Sequence, residues 1–414
     1  MSGFQVFTIL TALTALVAFA NQLLFRLRGA LGMAVAGAGI SLAAFVVGRI
    51  WPAAGSHTVA LFARLDYSDT VIHGMLCFLL FAGAMHIDLR AIWRWKITVA
   101  LLATVGVLVS TLIVAFAAHL FCKLVSLDLP VAWLLVFGAL ISPTDPVAVL
   151  ALLKELKAPK DLETQIGAES LLNDGTALAL FSVFLTMALD TQRITAWGVA
   201  ELFALQVLGG LAVGVVLGVL GHVLLKLVSD PPTSVVMTLA YALGGYTLGD
   251  SLHVSGPLVA AAMGLVVGYG RHSSMDPATR ARVMPFWEMF DELLNMLLFM
   301  MVGMALLALP LNWDYVPFAV LSIVCALIGR IVSVSAPMAL VSRLRPLPVG
   351  TTQALVWGGV RGGVSLAMAL ALPDLPWKPY LVTGTWAVVM FSLLVQAPTM
   401  GRVLRHYGLI SPNA

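Results

Sequence analysis

Five ionisable side chains stand inside stretches that are otherwise apolar: Asp145, Glu169, Asp174, Arg330 and Arg361. At a helix centre in hydrocarbon each costs about 2.5–3.5 kcal/mol even on the lenient insertion scale. Such groups must be paired, hydrated or functional. Around Asp174 the neighbours are oxygen donors. Glu169 and Asn173 are four residues apart, as are Ser170 and Asp174, so one side of a helix carries two carboxylates, an amide and a hydroxyl. Donors of this type suit a hard cation, and a carboxylate also carries a proton. The chemistry this predicts is reversible binding of a small cation or a proton.

Two interruptions sharpen that reading. In Ser142-Pro143-Thr144-Asp145-Pro146 the two prolines remove amide donors and free the carbonyls four residues earlier, at Ala139 and Ser142. In lipid, freed carbonyls are tolerated where they line a polar cavity. A plain proline kink would not require Thr144 and Asp145 between the prolines. In Trp357-Gly358-Gly359-Val360-Arg361-Gly362-Gly363-Val364-Ser365, four glycines surround one arginine and make a poor continuous helix. Close helix packing would explain the glycines, but not the arginine.

The elements that position these residues must lie in a membrane. Of 414 residues, 60% are hydrophobic and 10% charged, against roughly 25% charged in an average soluble domain. Thirteen apolar stretches cover 6–24, 31–47, 71–85, 97–120, 131–153, 162–189, 198–225, 235–248, 256–269, 286–307, 316–340, 351–372 and 380–403. Most approach the ~20 residues that span the hydrocarbon core, in long unbroken runs that argue for helices rather than a barrel. The expected fold is therefore an all-α polytopic membrane protein with about 13 transmembrane helices.

With the N-terminus outside, sixteen Lys and Arg fall on the inner side, among them Arg26, Arg28, Lys154 and Arg271. Five fall outside, including Arg64 and Arg193, and two within the membrane. That asymmetry predicts a multi-pass protein of the cell (inner) membrane with a cytoplasmic C-terminus. No soluble domain is expected, because the loops between the stretches are short, and no cleaved signal peptide, because residues 1–8 carry no positive charge. Cys77, Cys122 and Cys325 lack metal or disulfide spacing. No basic patch suits nucleic acid.

The interruptions fall in the fifth stretch and in the twelfth, the fifth of a second group of six after a linking seventh. This predicts one transmembrane unit of two inverted six-helix repeats with crossed broken helices. The first repeat covers 5–190, the linking span 198–226 and the second repeat 235–406.

In these residues the chain resembles the monovalent cation:proton antiporters that include bacterial NhaP proteins and animal sodium/hydrogen exchangers. The stretches that carry the resemblance are SPTDPVAV (142–149), ESLLNDGTA (169–177), FWEMFDELLNMLLFMMVGMAL (286–306), GRIVSV (329–334) and WGGVRGGVSLAMALALP (357–373). The resemblance implies a homodimer in membrane lipid with elevator-like alternating access, and no cofactor beyond the transported ions. It makes Asp174 the shared cation and proton carboxylate, with Thr144 and Ser170 as further Na⁺ ligands and Asn173 holding the site. Glu169 is expected to pair with Arg330, and Arg361 to neutralise Asp145 and the helix ends at the crossing. Some relatives carry Glu where this chain has Ala82, which implies one carboxylate fewer at the ion.

If Arg330 and Arg361 hold Glu169 and Asp145 ionised, one titratable carboxylate remains. Exchange is then electroneutral, one cation for one proton. A K⁺/H⁺ antiporter of the same fold is the near alternative. A cation channel or an intramembrane protease is a distant one. Ser365 has no histidine partner at membrane depth, and an aspartyl dyad of Asp145 and Asp174 leaves both arginines unexplained. No catalytic residue is expected, and the protein does not read as an enzyme. Glu288, Asp291 and Glu292 read as charges at a helix N-terminus, with a cytoplasmic cation funnel open for Glu288. Trp93, Trp95, Trp287 and Trp357 read as interfacial anchors.

Overall fold

The computed structural model describes residues 3–25, 29–50, 70–189, 195–309 and 312–411. Arg26, Arg28, Arg64 and Arg193, used in the loop count, lie outside the described residues. Among the described residues every regular element is helical. In chain order these are α1 (Gly3–Ala20), α2 (Gly29–Ile50), α3 (Leu76–His86), α4 (Leu89–Arg94), α5 (Lys96–Leu124), α6 (Val131–Ile141), α7 (Val147–Glu155), α8 (Lys160–Leu189), α9 (Ala196–Leu225), α10 (Pro231–Ser251), α11 (Gly256–Ser274), α12 (Pro277–Met304), α13 (Val316–Leu344), α14 (Thr351–Trp357), α15 (Gly363–Leu370) and α16 (Lys378–His406). α5 and α16 each contain a π-helical turn, at Leu102–Gly106 and Ser392–Gln396. Seven of the helices, α2, α5, α8, α9, α12, α13 and α16, are long and apolar enough to cross a membrane.

Local chemistry sets where several begin. Asp230 caps α10 by accepting the Thr233 amide at 3.0 Å, and Pro231 follows at the first helical position, where its missing N–H costs nothing. Asp276 and Pro277 repeat the device at α12. Thr195 caps α9 and Ser255 caps α11.

The interior keeps an extensive apolar core, but the outer surface is apolar as well, unlike that of a soluble protein. α9 turns Leu205, Leu208, Val216 and Val219 outward, as lipid permits. Polar and charged groups lie inside too, most densely on α8, where Gln165, Glu169, Ser170, Asn173, Asp174 and Thr176 are all buried. α8 packs against α5, α6, α9 and α11, while α13 bridges α5 and α16. The π-helical turn in α5 belongs to this core, since the Ala103 carbonyl accepts the Thr176 hydroxyl at 2.5 Å.

The tryptophans divide. Trp93 is exposed, as an interfacial anchor would be, but Trp95 and Trp287 are buried. Trp287 lies 5.0 Å from the Phe81 ring and donates its indole N–H to the Thr238 hydroxyl at 2.9 Å. Its amphipathic ring is satisfied inside the bundle. Trp357 is half-buried and donates to the Thr399 hydroxyl at 3.0 Å.

Candidate ion-binding site

The two interruptions meet. α6 stops at Ile141 and α7 starts at Val147; α14 stops at Trp357 and α15 starts at Gly363. The unwound segments between them touch where the Asp145 amide donates to the Val360 carbonyl at 2.7 Å. Gly362 lies against the Asp145 side chain and Gly359 against the Arg330 guanidinium, so a Cβ at either would collide with its neighbour. Glycine here makes room for charged side chains.

The carbonyls freed by the prolines find different partners. Ala139 accepts the amide of Ser142 at 3.2 Å, a tightened last turn. The Ser142 carbonyl accepts Arg361 Nη1, which also reaches the Pro143 carbonyl at 3.0 Å. A guanidinium therefore sits at the negative C-terminal end of α6. The expected pairing of Arg361 with Asp145 does not form. Asp145 instead accepts the Val147 amide at 2.9 Å, at the N-terminal start of α7. Glu169 and Arg330 do meet in a buried two-pronged contact, Nη1 to Oε1 and Nη2 to Oε2, the latter at 3.1 Å. Arg330 Nη2 also donates to the Leu355 carbonyl at 2.7 Å, which ties α13 to α14.

Thr144 is clasped from α8. Its amide donates to Asn173 Oδ1 at 3.2 Å, while Asn173 Nδ2 donates to its hydroxyl at 2.7 Å. The Thr144 hydroxyl donates to Ser170 Oγ at 3.3 Å, and the Ser170 hydroxyl donates back to the Thr144 carbonyl. Asn173 and Ser170 thus satisfy the unwound backbone that α6 cannot. Ser170, expected as a direct ligand, sits behind Thr144 and does not line the cavity described next.

A cavity of about 400 Å³ runs beside this cluster. Thr144, Asp145 and Asp174 line its deep end, and it reaches the exposed side chains of Lys154, Glu288 and Glu292. The carboxylate of Asp174 makes no hydrogen bond to any described residue, although the residue is only 9% exposed. Water can enter, and the acid is left free to take a cation or a proton.

Sequence reasoning missed part of the lining. Asp291 and Glu292 were expected to be helix-end charges, but α12 starts at Pro277 and places them far beyond its first turn. With Glu288 and Asn295 they form one polar stripe along the cavity. The signal was present as the spacing 288, 291, 292, 295, which marks one helix face. Ala82 packs in an apolar cluster with Phe81, Met85 and Trp287 and does not itself line the cavity.

Comparison with known proteins places these features in context. Residues 9–406 match the family model for the transmembrane sodium/hydrogen exchanger. The chain is 38% identical over 401 residues to the Na(+)/H(+) antiporter NhaP of Pseudomonas aeruginosa, covering 95% of both proteins. It is 32% identical to the Na(+)/H(+) antiporter NhaH of Halobacillus dabanensis, covering 83% of this chain and 84% of that one. The fold matches the sodium proton antiporter MjNhaP1 of Methanocaldococcus jannaschii with a TM-score of 0.75 at 19% identity, covering 97% of this chain and 98% of the other.

Proposed function

This chain belongs to the transmembrane sodium/hydrogen exchanger family, and from that premise we propose that it exchanges Na⁺, or Li⁺ by the same chemistry, for a proton across the inner membrane. Asp174 is the group for which the two compete. The observation that carries this reading is a buried carboxylate without a protein partner at the deep end of a cavity whose wall carries Glu288, Asp291, Glu292 and Asn295. Thr144 and Asp145 flank the ion, while Ser170 and Asn173 hold Thr144 in place. Glu169 and Arg330 brace the core.

The buried charges support a one-for-one exchange. With Asp145 ionised, its carboxylate held by the Val147 amide rather than by Arg361, the three acids Glu169, Asp145 and Asp174 oppose Arg330 and Arg361, which leaves one negative charge. One monovalent cation cancels it, and so does one proton. The core then crosses in the same charge state in both directions, and the membrane potential does no net work. A second proton per cation would couple the cycle to the potential by about 2.3 kcal/mol per 100 mV.

The bias of Lys and Arg towards one side puts the N-terminus outside and the C-terminus in the cytoplasm. On that orientation the cavity faces the cytoplasm and this is the inward-open state. The paired breaks and their contact support two inverted repeats about a midplane site, with the core moving against a homodimer scaffold.

The test is exchange in proteoliposomes with Na⁺, Li⁺ and K⁺ over a pH series, then with diffusion potentials of either sign. Na⁺ and Li⁺ should drive proton movement to a voltage-independent steady state. A preference for K⁺ would make this a K⁺/H⁺ antiporter, and a steady state that follows the voltage would end the one-for-one reading.

A further inference from the structure

Behind the glycine-rich break, on the side away from the cavity, a slot of about 10 Å³ is lined by Arg330, Arg361, Ser392 and Gln396 among aliphatic neighbours. Two guanidinium N–H groups at this slot, Nε of Arg330 and Nη2 of Arg361, have no hydrogen-bond partner in the protein. The residues are only 6% and 2% exposed, so each N–H would carry its full desolvation cost.

We infer that one resident water molecule is bound in this slot, accepting a hydrogen bond from Nε of Arg330 and another from Nη2 of Arg361. The volume is about that of one water, the smallest guest a cavity holds. A cation would be repelled by two guanidinium groups, and a halide is larger than the space. Water offers two lone pairs for the two donors and has its own protons to give. Gln396 Oε1 takes one, because its bond from the Ser392 hydroxyl at 2.6 Å leaves a lone pair free. Three hydrogen bonds are typical of buried water. The water joins the Glu169–Arg330 pair to the Arg361 clamp, so the brace and the break move as one body.

The test is a crystal structure of the full chain at a resolution that shows ordered solvent, repeated with bromide as the only halide. The expected result is one peak within hydrogen-bonding distance of both nitrogens, without anomalous signal from bromide. A bromide signal would make the guest an anion, and a slot with no peak would mean the arginines go unsolvated; either overturns the inference. In Gln396→Met, which removes the acceptor at similar length, the peak should weaken and the melting temperature fall. An unchanged peak and melting temperature would count against the bonding scheme, and the parent maps decide the matter if that variant does not fold.

Discussion

The two breaks differ in how they are made and in what they face. Prolines make the first, at 142–146. Their missing amides leave the Ala139 and Ser142 carbonyls in need of donors; the Ser142 amide serves the first, and Arg361 serves the second from the other break. Glycines make the second, at 358–362, and what they supply is space, for Asp145 beside Gly362 and for Arg330 beside Gly359. The first break opens on a cavity of about 400 Å³, which the second meets only at Gly362, whereas Gly359 and Arg361 of the second back onto a slot of about 10 Å³. One side is therefore wet and acidic, with a carboxylate free to exchange its partner. The other is tight and basic, with Arg330 and Arg361 held by Glu169 and by backbone carbonyls. Under the proposed function the two breaks divide the labour: the acidic break handles the ion and the basic break holds the frame.

The sharpest way to break this comparison is Asp174→Asn. Exchange should fall to background in proteoliposomes while the melting temperature stays near that of the parent. Near-normal exchange by the folded variant would remove Asp174 from the wet side.

On the basic side, Arg330→Ala and Glu169→Ala should each lower stability by about 3–5 kcal/mol, because each strands a buried charge. Replacing both should cost less than the two losses added together. Unchanged melting temperatures for the single variants in detergent would show that the pair braces nothing.

A smaller effect separates the glycines. Gly362→Ala and Gly359→Ala each force a neighbour aside, at about 1–3 kcal/mol for overpacking. Gly362→Ala displaces Asp145 and should impair exchange more than stability, while Gly359→Ala displaces Arg330 and should do the reverse. If both variants lose the same property, the division between the breaks fails.

Along the cavity, Glu288→Gln, Asp291→Asn and Glu292→Gln together should raise the half-saturating Na⁺ concentration several-fold at low ionic strength. The difference should shrink as salt screens the mouth. A salt-independent change would mean that these residues do not steer the ion.

Smallest of all is a control at a helix start remote from both breaks. Hydrogen bonds from Thr279 hold the Asp276 carboxyl below the usual aspartate range. Its contribution is thus present above the ordinary value of ~3.9 and is lost as pH falls through the lower folded value. Asp276→Ala should melt slightly earlier than the parent at neutral pH, with the gap closing in acid and exchange unaffected. A gap that widens in acid would reverse the sign.

By itself the sequence determined whatever depends on composition and short-range spacing. A chain this apolar must use lipid as solvent, Pro143 and Pro146 must interrupt a helix, and a Glu169-to-Asp174 stripe must share one helix side. The family resemblance also followed from contiguous motifs, and the matches to known relatives agree with it.

What only the tertiary structure decided is which groups meet across the bundle. Spacing along a chain says nothing of distances between helices. Arg361 could equally have served Asp145 or the α6 carbonyls, and only the crossing of the breaks turns it to the carbonyls. Ser170 could have faced the ion, but the unwound Thr144 needed a donor for its carbonyl and took it. Asp291 and Glu292 became cavity walls because α12 starts at Pro277, well before its apolar stretch, so they lie past the reach of the helix end. In each case a polar group inside lipid had several local partners, and packing settled which one was close enough to satisfy it.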